Sequence, residues 1–501
     1  MILFNGAFVF RPDADLLVVQ DGRIAAIGPE ASIAEEYLSD PDRMDLEGRA
    51  VLPGFVDAHV HVFNTGLTEL GWRVDLSGLT REETLAALAA SVADRGSREW
   101  VIGAGWDESG WSDQRYLSRK ELDRISMSSA IGAVRMDGHL LIVNSEALRV
   151  VIETLPAGVD RALVDEETGQ IREEAAWKVL QSVEPDEATL SDALTAAAKL
   201  CHRCGVTSVH AMTPRSRVSV LLKARGRDRL RVNVYQKVTA AEELEEVRTG
   251  DGFDGEWVRF GGVKAFGDGS LGAQNAAVRD PYADGGIGAL NHSDESLERI
   301  VRGSDRSGWQ TAIHAIGDRA IEQVLRVHAS VGSSADCRHR VEHVELATLD
   351  QIERARDLGL HLSMQPNFIG NWSGSGSMNE RRLGRARDEA SNPLRRVLDS
   401  GAPLALGSDG MPVSPIFGIH SAANSAYELQ RVTVEEAIGC YTEGGARFGF
   451  EEEVKGRLEV GALADLVVMD EDPRRAPDRV SERRIERVFV GGECVFASEE
   501  D

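Results

Sequence analysis

The chain has 501 residues, ordinary apolar content and a formal net charge of −26, enough length for one large domain plus a smaller one around a core that needs no staples. The acidic balance argues against nucleic acid or an anionic membrane as a partner. No run approaches the ~20 apolar residues of a membrane span, and the start, Met1-Ile2-Leu3-Phe4-Asn5-Gly6, lacks the basic and apolar regions of a signal peptide, so a soluble cytoplasmic protein is expected.

Residues 1–52 read as short strands with turns, at 7–10, 16–20, 23–27, 45–46 and 50–52, and Asp21-Gly22 is a hairpin signal. The far end has the same character, with strands at 465–469, 485–490 and 493–496 around Gly491-Gly492. Residues 1–52 and 451–501 are therefore expected to form one small β-sandwich domain, with 53–450 inserted between its halves. Cys201-His202-Arg203-Cys204 is a lone C-x-x-C in a helical run. A zinc site would want a second pair, so these read as ordinary reduced cysteines.

The middle alternates short apolar strands with amphipathic helices. Strands are expected at 55–61, 130–136, 206–211, 258–266, 311–314, 340–344, 361–365 and 404–408, with helices such as 81–93, 190–203, 318–330, 349–358 and 433–440 between them. Eight such units predict an α/β fold, a (β/α)8 TIM-type barrel. The long gaps at about 62–129 and 137–205 read as two insertions over its mouth.

In such a barrel, polar residues at the C-terminal ends of strands face the catalytic side. Strand one ends in His59 and His61, whose side chains share a face because residues two apart in a strand point the same way. Two neutral imidazoles so placed can bind a divalent metal, or can be two satisfied histidines at a strand end. Lys264 follows on strand four, His314 on strand five, His343 on strand six and Asp409 after strand eight. The two later histidines could be core residues, and Asp409 could cap the next helix. As a functional group Asp409 suits a general base beside a metal. Lys264 sits among apolar residues, where an unpaired ammonium is costly. Either it pairs with a carboxylate such as Asp268, or burial lowers its pKa and the neutral amine takes up CO2 to form a metal-bridging carbamate.

The stretch Val51-Leu52-Pro53-Gly54-Phe55-Val56-Asp57-Ala58-His59-Val60-His61 and the closing Gly456-Arg457-Leu458-Glu459-Val460-Gly461-Ala462-Leu463-Ala464-Asp465 resemble the amidohydrolase superfamily of metal-dependent hydrolases. More narrowly, Gly103-Ala104-Gly105-Trp106-Asp107, Arg135-Met136-Asp137-Gly138-His139, Lys264-Ala265-Phe266-Gly267-Asp268-Gly269, His314-Ala315-Ile316-Gly317-Asp318 and Arg340-Val341-Glu342-His343 resemble amidohydrolase family 3, the branch that includes N-substituted formamide deformylase. The resemblance implies a metal set of His59, His61, Lys264, His314, His343 and Asp409. In it the His-x-His pair holds the buried ion, an N6-carboxylated Lys264 bridges, and Asp409 is the catalytic base. One or two divalent ions are implied, zinc foremost.

The implied reaction is cleavage of a C–N bond by metal-activated hydroxide, with an N-substituted amide or formamide as substrate. Cyclic amides, amidines or esters on the same site, and a non-catalytic binding barrel, are the competing readings. His139, at the end of the expected second strand, is the candidate donor to the carbonyl oxygen. Trp106, Asp107, Arg135, Asp137 and Gln365 are the candidate substrate contacts, although Arg135 and Asp137 could equally form an ion pair and Trp106 could pack the insertion. His210 has no assigned role. A small-molecule substrate and at most a second copy of the chain, as a homodimer, are the expected partners.

Overall fold

The computed structural model describes residues 1–38, 42–95, 100–156, 158–253 and 255–498. Residues 499–501 of the expected terminal domain lie outside the described residues. The central sheet has eight parallel strands: Phe55–Val60 (β1), Val206–Thr213 (β2), Arg231–Lys237 (β3), Val258–Phe266 (β4), Gln310–Ala315 (β5), Arg340–His343 (β6), His361–Met364 (β7) and Leu404–Leu406 (β8). Chain neighbours are sheet neighbours throughout. The two ends of the sheet meet: Asp409, just past β8, donates its N–H to the His59 carbonyl at 2.7 Å. The approach requires Gly407, where a Cβ would lie 2.5 Å from the His59 nitrogen. The result is the expected (β/α)8 barrel.

Strands β1 and β2 are buried along their whole length because helices cover the outer face and side chains fill the inner one. The covering helices carry their own start and stop signals. Thr348 and Gln351 form a capping box at the start of Leu349–Asp357. Asp318–Val331 ends at Gly332, whose left-handed φ of 63° no β-carbon obstructs.

Membership of the barrel differs from the sequence expectation in one strand. The apolar run at 130–136 is real, as Ile131–Arg135, but it pairs in parallel with Val101–Trp106 and antiparallel with Leu140–Val143. It belongs to a separate six-stranded sheet that also holds Val74–Asp75, Val164–Asp165 and Gln170–Arg172. Segments 62–129 and 137–205, expected as two insertions, therefore share one sheet between β1 and β2. The missing barrel strand is β3. Its sequence, Arg231-Val232-Asn233-Val234-Tyr235-Gln236-Lys237, alternates apolar with polar residues and so resembles an exposed strand. Inside the barrel those polar side chains find partners: Asn233 donates to Glu451 at 2.6 Å, and Tyr235 donates to Gln310.

The chain ends form two sheets. One is built from the N-terminal segment alone, as Arg23–Gly28, Leu16–Gln20, Ile2–Phe4 and Arg43–Asp45. The other interleaves both ends, with Ala50–Pro53 antiparallel to Leu466–Met469. Leu3, Leu17, Ile24, Val51, Leu466, Val468 and Phe489 are buried between them. This unit is fastened to the barrel by Asp465, which accepts from Arg231 Nε at 2.7 Å and from Nη2 at 3.1 Å at the start of β3. Both side chains are nearly inaccessible, at 2% and 4%. Removing one partner of such a pair leaves a charge stranded in low dielectric. Asp465→Ala is expected to lower unfolding free energy by about 3 kcal/mol, read from urea titration; a loss under about 1 kcal/mol would show that Glu256, 3.6 Å from Arg231, carries the pairing.

Candidate metal centre and active site

β1 delivers His59 from within the strand and His61 just beyond it, where the chain turns into the helix Val62–Glu69. Their ring centroids lie 5.7 Å apart. Asp409, reaching in from the end of β8, places Oδ1 at 3.3 Å from His61 Nε2 and 3.7 Å from His59 Nε2. Ligand atoms of these three residues all lie within 4.8 Å of one another. His343 continues the cluster, its ring 4.8 Å from that of His59, and His314 lies 4.4 Å beyond it.

Each of these rings is oriented through one nitrogen. His59 Nδ1 donates to Glu342 at 2.6 Å. His314 Nε2 donates to the Gly269 carbonyl at 2.9 Å, and His343 Nδ1 to the Gln365 amide oxygen at 2.7 Å. His61 bonds to the backbone of Met212. The opposite nitrogen of each of these rings keeps its lone pair, which is how ligating histidines are held. Burial, then the positive field of Lys264 and neighbouring groups, keeps His59, His314 and His343 far below the usual imidazole pKa, and His61 down to about 3. All four rings are neutral at pH 7.

Among the described residues, His59 Nε2, Lys264 Nζ and Asp409 Oδ1 are buried polar atoms without any hydrogen-bond partner. Each such group costs about 1–3 kcal/mol in an otherwise dry site. Burial lowers the Lys264 pKa against the pull of Glu342 and Asp409, and raises that of Asp409 against the pull of Lys264 and His139. His343 and Asp409 also take left-handed backbone angles, φ 74° and 55°, which non-glycine residues adopt at a cost. A divalent cation among neutral imidazole nitrogens and a carboxylate would satisfy the orphaned His59 nitrogen and Asp409 oxygen. The donor set fits such an ion.

A cavity of about 770 Å³ opens over the cluster, walled by His61, Asp137, His139, Lys237, Lys264 and Asp409 among others. His139 descends from the inserted sheet rather than from a barrel strand end, and its ring lies 5.1 Å from that of His314. Its Nδ1 contacts both oxygens of Glu173 at 2.9 and 3.0 Å. Burial alone would lower the His139 pKa, but the Glu173 carboxylate outweighs it and raises it. His139 therefore lines the cavity with its Nδ1 held by Glu173.

The other expected contacts divide. Asp137 lines the cavity and accepts from Ser270 and from Arg135 Nη1. The Arg135 guanidinium, 1% exposed, is consumed by Asp107, Glu108 and Asp137. Asp107 is held in turn by the Trp372 indole at 2.7 Å. Trp106 is fully buried, stacked on Trp111 with its indole on the Ala133 carbonyl. It packs the insertion, as the second reading of that tryptophan has it. Gln365, expected at the substrate, is 1% exposed and spends its amide oxygen on His343. The structure makes it a positioning residue.

His210 accepts from Arg340 in the barrel interior at 2.8 Å and does not reach the cavity wall. Glu342, Glu173 and Lys237 were not singled out from sequence. For Glu342 a signal existed: Arg340 and Glu342, two apart on a strand, must point to the same side, and an arginine and an acid sharing the inside of a barrel implies a buried pair. A second cluster, Asp305, Cys337 and His339, has ligand atoms at comparable spacing. There the Thr311 N–H donates to His339 Nδ1, so Nε2 carries the proton and gives it to Asp305. That ring has no lone pair left for a metal.

Four neutral histidine rings, an acid and a lysine gather at the C-terminal mouth of a (β/α)8 barrel, and the fold is that of the metal-dependent hydrolases. The chain belongs to the amidohydrolase family, whose profile matches residues 42–496. It is 30% identical to YtcJ of Bacillus subtilis over 99% of both chains. It is 26% identical to the N-substituted formamide deformylase of Arthrobacter pascens, over 96% of this chain and 94% of that one. The solved structure of a metal-dependent hydrolase from Pyrococcus horikoshii superposes with a TM-score of 0.75 at 28% identity, covering 95% of this chain and 98% of that one.

Replacing a group that orients a ligating histidine typically weakens metal binding about 10–100-fold. Gln365→Leu is expected to do so in competition with a chelator, and an unchanged affinity would remove Gln365 from the support of His343.

Proposed function

We propose that this chain hydrolyses the C–N bond of a small N-substituted amide, with a formamide as the leading candidate. The observation that carries the reading is the convergence of the orphaned His59 nitrogen, Lys264 nitrogen and Asp409 oxygen beneath a cavity of about 770 Å³. That volume suits a small molecule, within the roughly 300–1,000 Å³ usual for ligand pockets. The deformylase relative acts on such a bond.

His59, His61 and Asp409 would hold one divalent ion, and His314 and His343 a second, with zinc matched to the nitrogen and oxygen donors. The ion would supply Lewis acidity, bringing the pKa of water to near 7 and polarising a carbonyl. The neutral Lys264 amine, favoured by burial, would add to CO2 and release a proton. Counted from the ammonium form, loss of one proton to give the amine and of a second on adding CO2 replaces a positive charge with a negative one beside the cation. Asp409, whose burial makes it basic for a carboxylate, would take the proton of the attacking water and return it to the departing nitrogen. His139, held by Glu173, would donate a hydrogen bond to the carbonyl oxygen as negative charge develops there. All five cysteines are unpaired, which suits a reducing cytoplasm.

A chelator is expected to abolish turnover, and zinc with bicarbonate to restore it. Asp409→Asn is expected to reduce kcat about 10²–10⁴-fold while the protein stays folded, assayed over a panel of N-formyl, N-acyl, cyclic and ester substrates; undiminished turnover would remove Asp409 from the reaction. Lys264→Ala should lower metal content per chain, measured by elemental analysis. Full occupancy in that variant would dispose of the carboxylated lysine.

A further inference from the structure

Away from the metal cluster, the same cavity has a positively charged wall that the proposed reaction does not use. Arg217 follows the end of β2, in the turn Arg215–Arg217, and is 4% exposed. Its Nε donates to Glu184 at 2.9 Å and its Nη1 to Asn64 at 3.3 Å. Asn64 is three residues beyond His61, on the helix Val62–Glu69, so this guanidinium is tied to the turn that carries a metal-cluster residue. Beside it lies Arg73, 6% exposed, whose Nε has no hydrogen-bond partner. Among the described residues the one acid acting on Arg73 is Glu184, which is already bonded to Arg217. Arg73, Arg217, Glu184 and Asn64 all line the cavity together with His61.

Two buried guanidinium groups therefore share a single carboxylate. A buried charge without a counter-charge is among the costliest features a fold can carry. Burial, then the field of Arg217, depresses the Arg73 pKa to about 9, which still leaves Arg73 charged at neutral pH. Arg73, Arg217 and Glu184 together carry one net positive charge, which one monoanion neutralises. Guanidinium forks present paired N–H donors in the geometry of a carboxylate.

We infer that Arg73 and Arg217 form a subsite for a carboxylate on the substrate, so that the amide cleaved is borne by an N-acyl or N-formyl amino acid or a related acid. The inference rests on the amide-hydrolase reading for its substrate class, but the anion site is tested by binding and not by turnover. The probes are N-acetylglycine and its neutral counterpart N-acetylglycinamide, titrated by calorimetry into the metal-loaded protein. Wild type is expected to bind the acid at least about 10-fold more tightly than the amide, a margin of roughly one charge-assisted contact. Arg73→Met, of similar length without charge, should bring the two within about twofold, and Arg73→Lys should restore part of the preference.

Glu184→Gln frees Arg217 and raises the net charge of the wall, so it should tighten the acid alone. This opposite-sign variant keeps the test open if Arg73→Met fails to fold by thermal melting. Equal binding of acid and amide in wild type overturns the subsite. So does a preference that survives in Arg73→Met, which would place the carboxylate on the metal, and so does a Glu184→Gln variant that binds the acid no better. Preference for the acid without any C–N cleavage supports the subsite and removes the proposed reaction.

Discussion

The Glu342 carboxylate lies wholly buried between the Arg340 guanidinium, at 2.7 and 3.0 Å, and His59 Nδ1, at 2.6 Å. Burial pushes its pKa up, and Arg340 with Lys264 more than reverses that, so it is an anion where no solvent reaches. Arg340 also donates to the Ala58 carbonyl and to His210. One arginine thus binds β1, β2 and β6 across the barrel interior. A buried pair of this kind contributes little net stability compared with well-packed apolar residues. What it provides is a fixed proton: His59 must donate from Nδ1, so its Nε2 lone pair faces the cluster.

The rest of the histidine cluster repeats that logic with cheaper partners. A backbone carbonyl holds His314, a side-chain amide holds His343, and the Met212 backbone holds His61. With one nitrogen of each ring spoken for and all four rings neutral, the site is a set of pre-aimed lone pairs around orphaned atoms. His343 and Asp409 also hold left-handed φ, away from the angles non-glycine residues prefer. Were a cation to bind there, the cost of orienting these rings would already have been met in folding the barrel.

The barrel and the insertion contribute different parts of the cavity. The barrel supplies the cluster, and the six-stranded insertion supplies His139, Glu173 and Trp177, which close over it. Lys237 lies between the two, its Nζ 3.3 Å from the Trp177 ring centroid and 4.6 Å from that of Phe266. The buried network of Arg135 with Asp107, Glu108 and Asp137 fixes the insertion sheet at the cavity edge. An insertion that is rigid by ion pairing and indole contacts can shape a pocket without moving the histidine cluster.

Much of this was legible from the sequence because it is written in local patterns. The (β/α)8 alternation, the joining of the two chain ends, and the four histidines, lysine and aspartate of the cluster follow from strand periodicity and from polar residues placed at strand ends. The family resemblance rests on those same stretches. What the sequence could not decide was which apolar runs belong to which sheet. The run around Ile131–Arg135 has barrel composition but pairs with Val101–Trp106. β3, with Asn233, Gln236 and Lys237, looks half exposed yet lies inside, since its polar groups meet partners from distant segments. Strand pairing is a long-range choice that one strand's residues do not encode. The same holds for roles. Gln365 turns to His343 and Arg135 to three carboxylates, while Arg73 is left with a share of one. The sequence alone determined which chemical groups the barrel carries to its mouth, because side-chain direction follows from local geometry. Only the tertiary structure decided which of them are satisfied by neighbours and which remain free to act, because buried hydrogen bonds and ion pairs are settled between residues hundreds of positions apart.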